Sequence, residues 1–247
     1  MLRLRQICLV ARRLKPAVAD LESAFGLATC FQDPGVAKYG LENALLPIGN
    51  DFLEIVAPVA PNTAAERYLD RRNGDGGYMV ILQSDDVLTR RAQIEAAGVR
   101  VINTHDHDDF YGIQLHPRDT GGAMLEIDRN DGDDASDSPW RPAGDDWKRA
   151  VRTDVTTAMT GAELQSDDPA GLAARWGAIL DIAPKTGNDG VAALQLDNAT
   201  LRFVPVADGR GEGLGGVDLK MTPGVQPGAQ YVEETKIICG TRFRLIE

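Results

Sequence analysis

Two short apolar runs each carry one glutamate: FLEIVAP at 52–58, with Glu54, and AMLEIDR at 123–129, with Glu126. Side chains alternate along an extended strand, so Phe52, Glu54 and Val56 share one face, as do Met124, Glu126 and Asp128. Each glutamate is either the polar edge of a half-exposed strand or a buried acid. If both face one concavity, like charge and desolvation raise at least one pKa, and that carboxyl carries protons near neutral pH. Of the three histidines, His105 and His107 fall in THDHDD at 104–109. Extended, they put two imidazoles on one face and join Asp109 as metal ligands; at a hairpin tip they are solvated polar residues. His116, before Pro117, either hydrogen-bonds the following turn or donates a proton at a pocket rim. Glu42 and Asn43 interrupt the apolar run 41–47, and buried polar groups need partners, of which a ligand is one kind. Arg67 lies on a helix expected over 64–72, where it pairs with a substrate carboxylate or phosphate or with a surface acid. The GDGG at 74–77 is not GxGxxG, and neither GxSxG nor HExxH occurs, so no nucleotide cofactor and no serine nucleophile or zinc-protease site is expected.

The elements that must position these residues repeat. The pentapeptide LQSDD occurs at 82–86 and at 164–168. Each copy ends a strand-like run and precedes a helix-like one, 87–97 and 169–180. Asp86 and Asp168 stand where N-caps belong, and Pro169 takes the first helical position, where its missing N–H costs nothing. The chain start has the same shape: a strand over 6–10, then an amphipathic helix over 15–25 ended by Gly26. Short strands follow each helix, at 39–47 and 51–56, at 100–104, 110–116 and 123–127, and at 191–196 and 200–206. A fourth unit is degraded: 216–221, a Pro/Gly-rich stretch in place of a helix, then 235–239 and 241–246. The stretch DRNDGDDASDSPWRPAGDDW at 128–147 breaks the periodicity and reads as a solvated connector, its far end pinned by Trp140 and Trp147. The expected organisation is a first pair of units over 1–130, an acidic linker over 131–150 and a shortened second pair over 151–247.

A strand–helix–strand–strand–strand unit repeated in pairs, with Asp opening the helix, resembles the vicinal oxygen chelate superfamily. GLENALLP, FLEIVAP, GGYM and HPRDTGG are similar to a glyoxalase-like branch of it. The resemblance implies an α+β fold of tandem βαβββ modules forming a cupped mixed sheet, with a second, degraded module pair. It implies metal ligands on the first and last strands of each module, the first-strand ligand lying seven residues before the residue that opens the helix. That position falls on Gln6 and Met79, and the last-strand positions on Glu54 and Glu126. Glyoxalase I of the eukaryotic type is similar, with histidine where Met79 stands. Oxygen ligands suit a divalent cation that activates a carbonyl, whereas a thioether is soft and neutral. Either the ion uses Gln6, Glu54, Glu126 and water, or the metal is lost and Met79 lines a pocket together with Tyr78, Asn43, Glu42, Arg67 and His116. In the second pair the same positions read Gly161, Arg202 and Arg244, which makes that half a scaffold or lid, or an anion-binding cup.

Two functions follow from the resemblance. One is a lyase- or isomerase-type enzyme on a small carbonyl or hydroxy acid, with Glu54 and Glu126 transferring protons. The other is a metal-free protein that sequesters a small molecule, as the bleomycin-resistance relatives do. A two-His-one-carboxylate iron site is absent, which excludes extradiol dioxygenation. Composition narrows the partners. The 247 residues carry 26 Lys+Arg against 37 Asp+Glu, a net charge of −11, which disfavours nucleic acid and anionic membrane surfaces. The expected partner is a small-molecule ligand, in a monomer or homodimer. Three scattered cysteines build no disulfide framework, and no apolar run approaches the ~20 residues of a membrane span, so a cytoplasmic protein is expected.

Overall fold

The structure is a computed structural model and describes residues 1–131, 135–225 and 235–247. The amino-terminal half runs β1 (Leu2–Val10), α1 (Leu14–Phe25), β2 (Leu41–Ile48), β3 (Asp51–Pro58) and α2 (Ala64–Arg71), then β4 (Gly76–Ser84), α3 (Val87–Ala96), β5 (Val101–His107), β6 (Phe110–Leu115), the single turn α4 (Pro117–Thr120) and β7 (Met124–Asn130). The second half runs β8 (Thr156–Ser166), α5 (Pro169–Leu180), β9 (Lys185–Thr186), β10 (Ala192–Gln195), β11 (Thr200–Pro205), β12 (Gly213–Met221), β13 (Thr235–Ile238) and β14 (Thr241–Ile246).

Among the described residues these strands form two seven-stranded mixed sheets, ordered β2-β3-β1-β4-β7-β6-β5 and β13-β14-β12-β8-β11-β10-β9. Each is built around an antiparallel central pair, β1–β4 or β8–β12. Each central strand is flanked by a parallel partner: β3 and β7 in the first sheet, β11 and β14 in the second. This is an α+β fold of paired modules.

Local chemistry starts the helices. Asp86 accepts from the Thr89 N–H and Asp168 from the Gly171 N–H, so both LQSDD copies end on working N-caps. Gly26 closes α1 at φ 66°, a left-handed conformation that glycine adopts without a Cβ penalty. The helices α1, α3 and α5 and one face of each sheet share a core that includes Ile7, Leu9, Leu53, Val80 and Leu125 from the first sheet and Leu164, Trp176, Phe203, Val217 and Phe243 from the second. The other face of the first sheet has its own apolar cluster, with Cys8, Val10, Phe52, Tyr78, Met79, Phe110, Trp140 and Trp147.

Three local expectations change. The strand β5 extends through His107, so His105 is part of the sheet rather than of a hairpin tip. The segment after His116 is the short helix α4 rather than a plain turn. The connector is more than a strap pinned at its far end: Ser138 and Ala143 are buried along with the expected Trp140 and Trp147. Its backbone carbonyls at Ser136 and Ser138 are taken by the Arg5 guanidinium, which compensates for bringing a polar segment out of water. The Pro/Gly-rich stretch of the fourth unit lies mostly outside the described residues.

Candidate functional site

A β-bulge sets the site. The β1–β4 register shifts between Leu4 and Gln6, so Leu2 and Leu4 face the shared core, as do Ile7 and Leu9 after the shift. Arg3, Arg5, Gln6, Cys8 and Val10 therefore all face the cup. Along one row Phe52, Gln6, Ile81, Glu126 and Gln114 stand side by side, and along the next Leu45, Glu54, Cys8, Met79 and Met124. Both glutamates, from equivalent strands of the two modules, stand on one face of the sheet, one row apart.

Glu54 is 8% exposed and clamped. Gln6 Nε2 donates to its Oε2 at 2.9 Å and Asn43 Nδ2 to its Oε1 at 2.7 Å. Asn43 is in turn oriented by the Asp33 N–H, which meets its Oδ1 at 2.8 Å. Burial pushes the Glu54 pKa up, while the bonds from Asn43, the Cys8 thiol and Gln6 pull it down. Burial likewise pushes the Cys8 thiol well up, so it is a neutral donor and no nucleophile.

Glu126 is the less compensated acid. Gln114 Nε2 donates to its Oε2 at 2.8 Å, and the half-buried His105 puts Nε2 3.5 Å from Oε1. Burial, with the nearby charge of Glu54, raises its pKa to about 7 against the pull of Gln114. Asp128, fully buried on the same face, is pushed well up by burial and by Glu126. The two meet carboxyl to carboxyl, a contact that bonds only when one of them holds a proton, and Asp128 otherwise has no partner. An outer layer continues from Gln114, whose Oε1 accepts from Asn103 Nδ2 at 3.1 Å, and Asn103 reaches the Tyr39 hydroxyl at 3.0 Å. Burial, with Lys38 and His107 nearby, lowers the His105 pKa and favours a neutral imidazole.

The connector supplies a wall. Trp140 Nε1 donates to Gln6 Oε1 at 2.8 Å, and its ring meets Phe110 edge-on. Trp147 packs on Phe52 at 5.0 Å between ring centroids, and Arg5 lies against Phe52, Trp140 and Trp147.

The structure thus brings together Gln6, Asn43, Glu54, Met79 and Glu126, with Tyr78 in the same apolar cluster. It does not add Glu42, which is exposed, or Arg67, exposed on α2 with its guanidinium on the Asn62 carbonyl. His116 caps α4 by accepting the Arg118 N–H on Nδ1 at 3.1 Å, the turn role. Reading the sequence alone missed Cys8 and Gln114, and it gave His105 and Trp140 other roles, as a candidate metal ligand with Asp109 and as an anchor of the connector. Cross-strand parity from the β6–β7 hairpin would have found Gln114. A two-residue turn at Asp108-Asp109 would have found His105.

A divalent cation does not fit these residues. The Gln6 oxygen is committed to the Trp140 N–H, so Gln6 and Asn43 both turn NH2 groups, not oxygens, towards Glu54. Met79 places a soft thioether where the superfamily resemblance calls for histidine. Among the described residues no group of three or more His, Cys, Asp or Glu could hold a metal ion.

The second sheet shows what the same backbone does with other residues. Register places Gly161 where Gln6 stands, Arg202 where Glu54 stands and Arg244 where Glu126 stands. Arg202 pairs with Glu163 at 2.7 Å and Asp218 at 2.8 Å, Arg244 with Asp218 at 3.0 Å, and Arg242 with Glu163. A Cβ on Gly161 would come within 2.7 Å of the Asp218 carboxylate, so glycine there makes room for the ion pairs.

Paired modules, central antiparallel strands with parallel flanks and two buried glutamates on one face place the protein in the vicinal oxygen chelate superfamily. The chain belongs to the glyoxalase-like family: the family model described as "Glyoxalase-like domain" matches residues 7–180. It is similar to bovine mitochondrial methylmalonyl-CoA epimerase, 20% identical over 130 residues that cover 51% of this chain and 74% of that protein. A hypothetical protein from Staphylococcus aureus has the same fold along the whole chain, with a TM-score of 0.70, 14% identity and coverage of 100% and 99%. The Streptomyces coelicolor methylmalonyl-CoA epimerase in complex with 2-nitronate-propionyl-CoA aligns at a TM-score of 0.47 and 22% identity, over 53% of this chain and 98% of that one. No helix among the described residues is long and apolar enough to cross a membrane.

Proposed function

We propose that the first cup is the active site of a lyase- or isomerase-type enzyme that moves a proton on a carbon next to a carbonyl, in a small carbonyl or hydroxy-acid substrate. The observation that carries this is the unequal pair of glutamates on one buried face. Glu54 is clamped by two amide N–H groups and a thiol, whereas Glu126 titrates near neutral pH because burial and the Glu54 charge oppose its ionisation. Two carboxyls whose surroundings separate their pKa values divide acid and base roles. Glu54, as carboxylate, takes the α-proton and leaves the electron pair on the substrate as an enolate; the protonated Glu126 returns a proton to the enolate, at carbon or at oxygen. Gln6 and Asn43 hold Glu54 during the transfer, and Gln114 holds Glu126. The epimerase name of the curated relatives is in keeping with this reaction class.

A second reading is supported by the rings of Tyr78, Phe110 and Trp140 clustered on the same face. Aromatic faces beside carboxylates suit a cationic ligand that is bound and released unchanged. The test is α-proton exchange in D2O, followed by NMR over a panel of small 2-oxo acids, 2-hydroxy acids and acyl thioesters. Exchange with at least one substrate, reduced about 100-fold or more in Glu54→Gln and in Glu126→Gln, is the expected result. No exchange anywhere in the panel, with saturable binding of an aromatic cation, overturns the enzyme reading in favour of the binder.

A further inference from the structure

Trp140 belongs to neither sheet, yet its indole N–H ends 2.8 Å from Gln6 Oε1, and both residues are buried, at 1% and 2% exposure. An indole N–H only donates, so the end of the Gln6 amide that faces it is the oxygen. The NH2 end is therefore turned to Glu54. The Asp33 N–H fixes Asn43 in the same sense from the other side. Glu54 thus stands in a cage of donors, with no amide oxygen turned beside it to share a cation. Turning Gln6 round would set its NH2 against the indole N–H, donor to donor, between two buried side chains, and would leave both donors unsatisfied. Arg5 and Phe110 hold the indole in place.

We propose that Trp140 is a positioning residue of the cup: through Gln6 it fixes the donor cage around Glu54, and with Met79 it keeps the cup closed to divalent cations. Two separate locks are involved. Met79 withholds a nitrogen ligand, and Trp140 withholds the carboxamide oxygen. The inference rests on the geometry of the cup and holds whichever ligand the cup takes.

The test is metal uptake, which needs no substrate. Mn2+ and Ni2+ are titrated by calorimetry into the unaltered chain, Met79→His, Trp140→Phe and the double variant. A further protein combines Met79→His with replacement of Trp140 by its benzothienyl isostere, which keeps the ring shape and lacks the N–H. The unaltered chain and Trp140→Phe should take up no stoichiometric metal. The double variant and the isostere protein should bind about 30-fold more tightly than Met79→His, the size of effect that partners of metal ligands have. Glu54→Gln should abolish the gain. The Gln6 side-chain amide resonances should move when the indole N–H is removed. If Trp140→Phe fails to fold, the isostere protein decides. Metal binding by Met79→His as tight as by the isostere protein overturns the role of Trp140, as does stoichiometric metal in the unaltered chain. Neither outcome bears on the exchange assay, so the two readings fail separately.

Discussion

Glu126→Gln removes one proton-binding group from the cup and leaves its shape. The carboxyl titrates at about 7 in the folded chain against 4.5 ordinarily, and each unit corresponds to about 1.4 kcal/mol. The sign follows from proton uptake. Between pH 4.5 and 7 the folded chain holds a proton on Glu126 that the unfolded chain has released, so stability falls as pH rises through that window and levels off above it. The ionised carboxyl therefore costs the folded state about 3 kcal/mol at pH 8 and nothing near pH 4. Glutamine carries no such cost and still offers an oxygen to Gln114. Glu126→Gln should accordingly be more stable than the unaltered chain by up to about 3 kcal/mol at pH 8, with the difference vanishing towards pH 4.5. Asp51, also raised to about 7 by burial, titrates in the same window, but it is present in both proteins and cancels. Asp128, which is pushed up by burial and by Glu126, is relieved when Glu126 loses its charge, and this shifts the balance in the same direction. The assay is urea unfolding at half-unit steps from pH 4.5 to 8.5. Two stability profiles that run parallel across the range would mean that Glu126 ionises like any surface acid, and the assignment of acid and base roles in the cup would fall with it.

Two further perturbations probe the frame around the cup. Gly112→Ala puts a Cβ 2.1 Å from the Asp128 carboxyl; it should destabilise by about 2 kcal/mol by crowding a fully buried group, read as a lower urea midpoint. Asp218→Asn in the second sheet leaves Arg202 with Glu163 alone and frees the half-exposed Arg244. The expected loss is about 2 kcal/mol, under the 3–5 of a fully buried pair because Arg244 can turn to water, and added salt should shrink it.

What the sequence made legible was local. The LQSDD copies mark strand ends and N-caps because a cap is decided within four residues, and Pro169 and Gly26 punctuate their helices for the same reason. The repeat then predicts the paired sheets. Strand parity put Glu54 and Glu126 on corresponding faces without any tertiary knowledge. What stayed hidden depends on contacts far apart in the chain. Trp140 meets Gln6 across 134 positions; the two tryptophans say that the far end of the Asp/Gly/Ser/Pro-rich stretch docks, but not on which sheet or against which residue. The β1 bulge also left no composition signal beyond the break in alternation between Leu4 and Ile7. His105 was misplaced because THDHDD is as polar as a loop, although only one edge of β5 meets another strand, and an edge strand tolerates polar residues.

The interlocked arginines and acids of the second sheet give this chain an internal blank. Glu163 is held below its ordinary pKa despite its burial, by Arg242 and Arg202, so its charge stays constant across the range in which Glu126 takes up or loses its proton. A reporter placed near Arg202 should therefore be silent to acidity while one near Gln114 responds. Any neutral-range signal common to both would point to Asp51, which is also raised to about 7 and accepts the Met159 N–H of β8 between the sheets, rather than to titration on either site-bearing face.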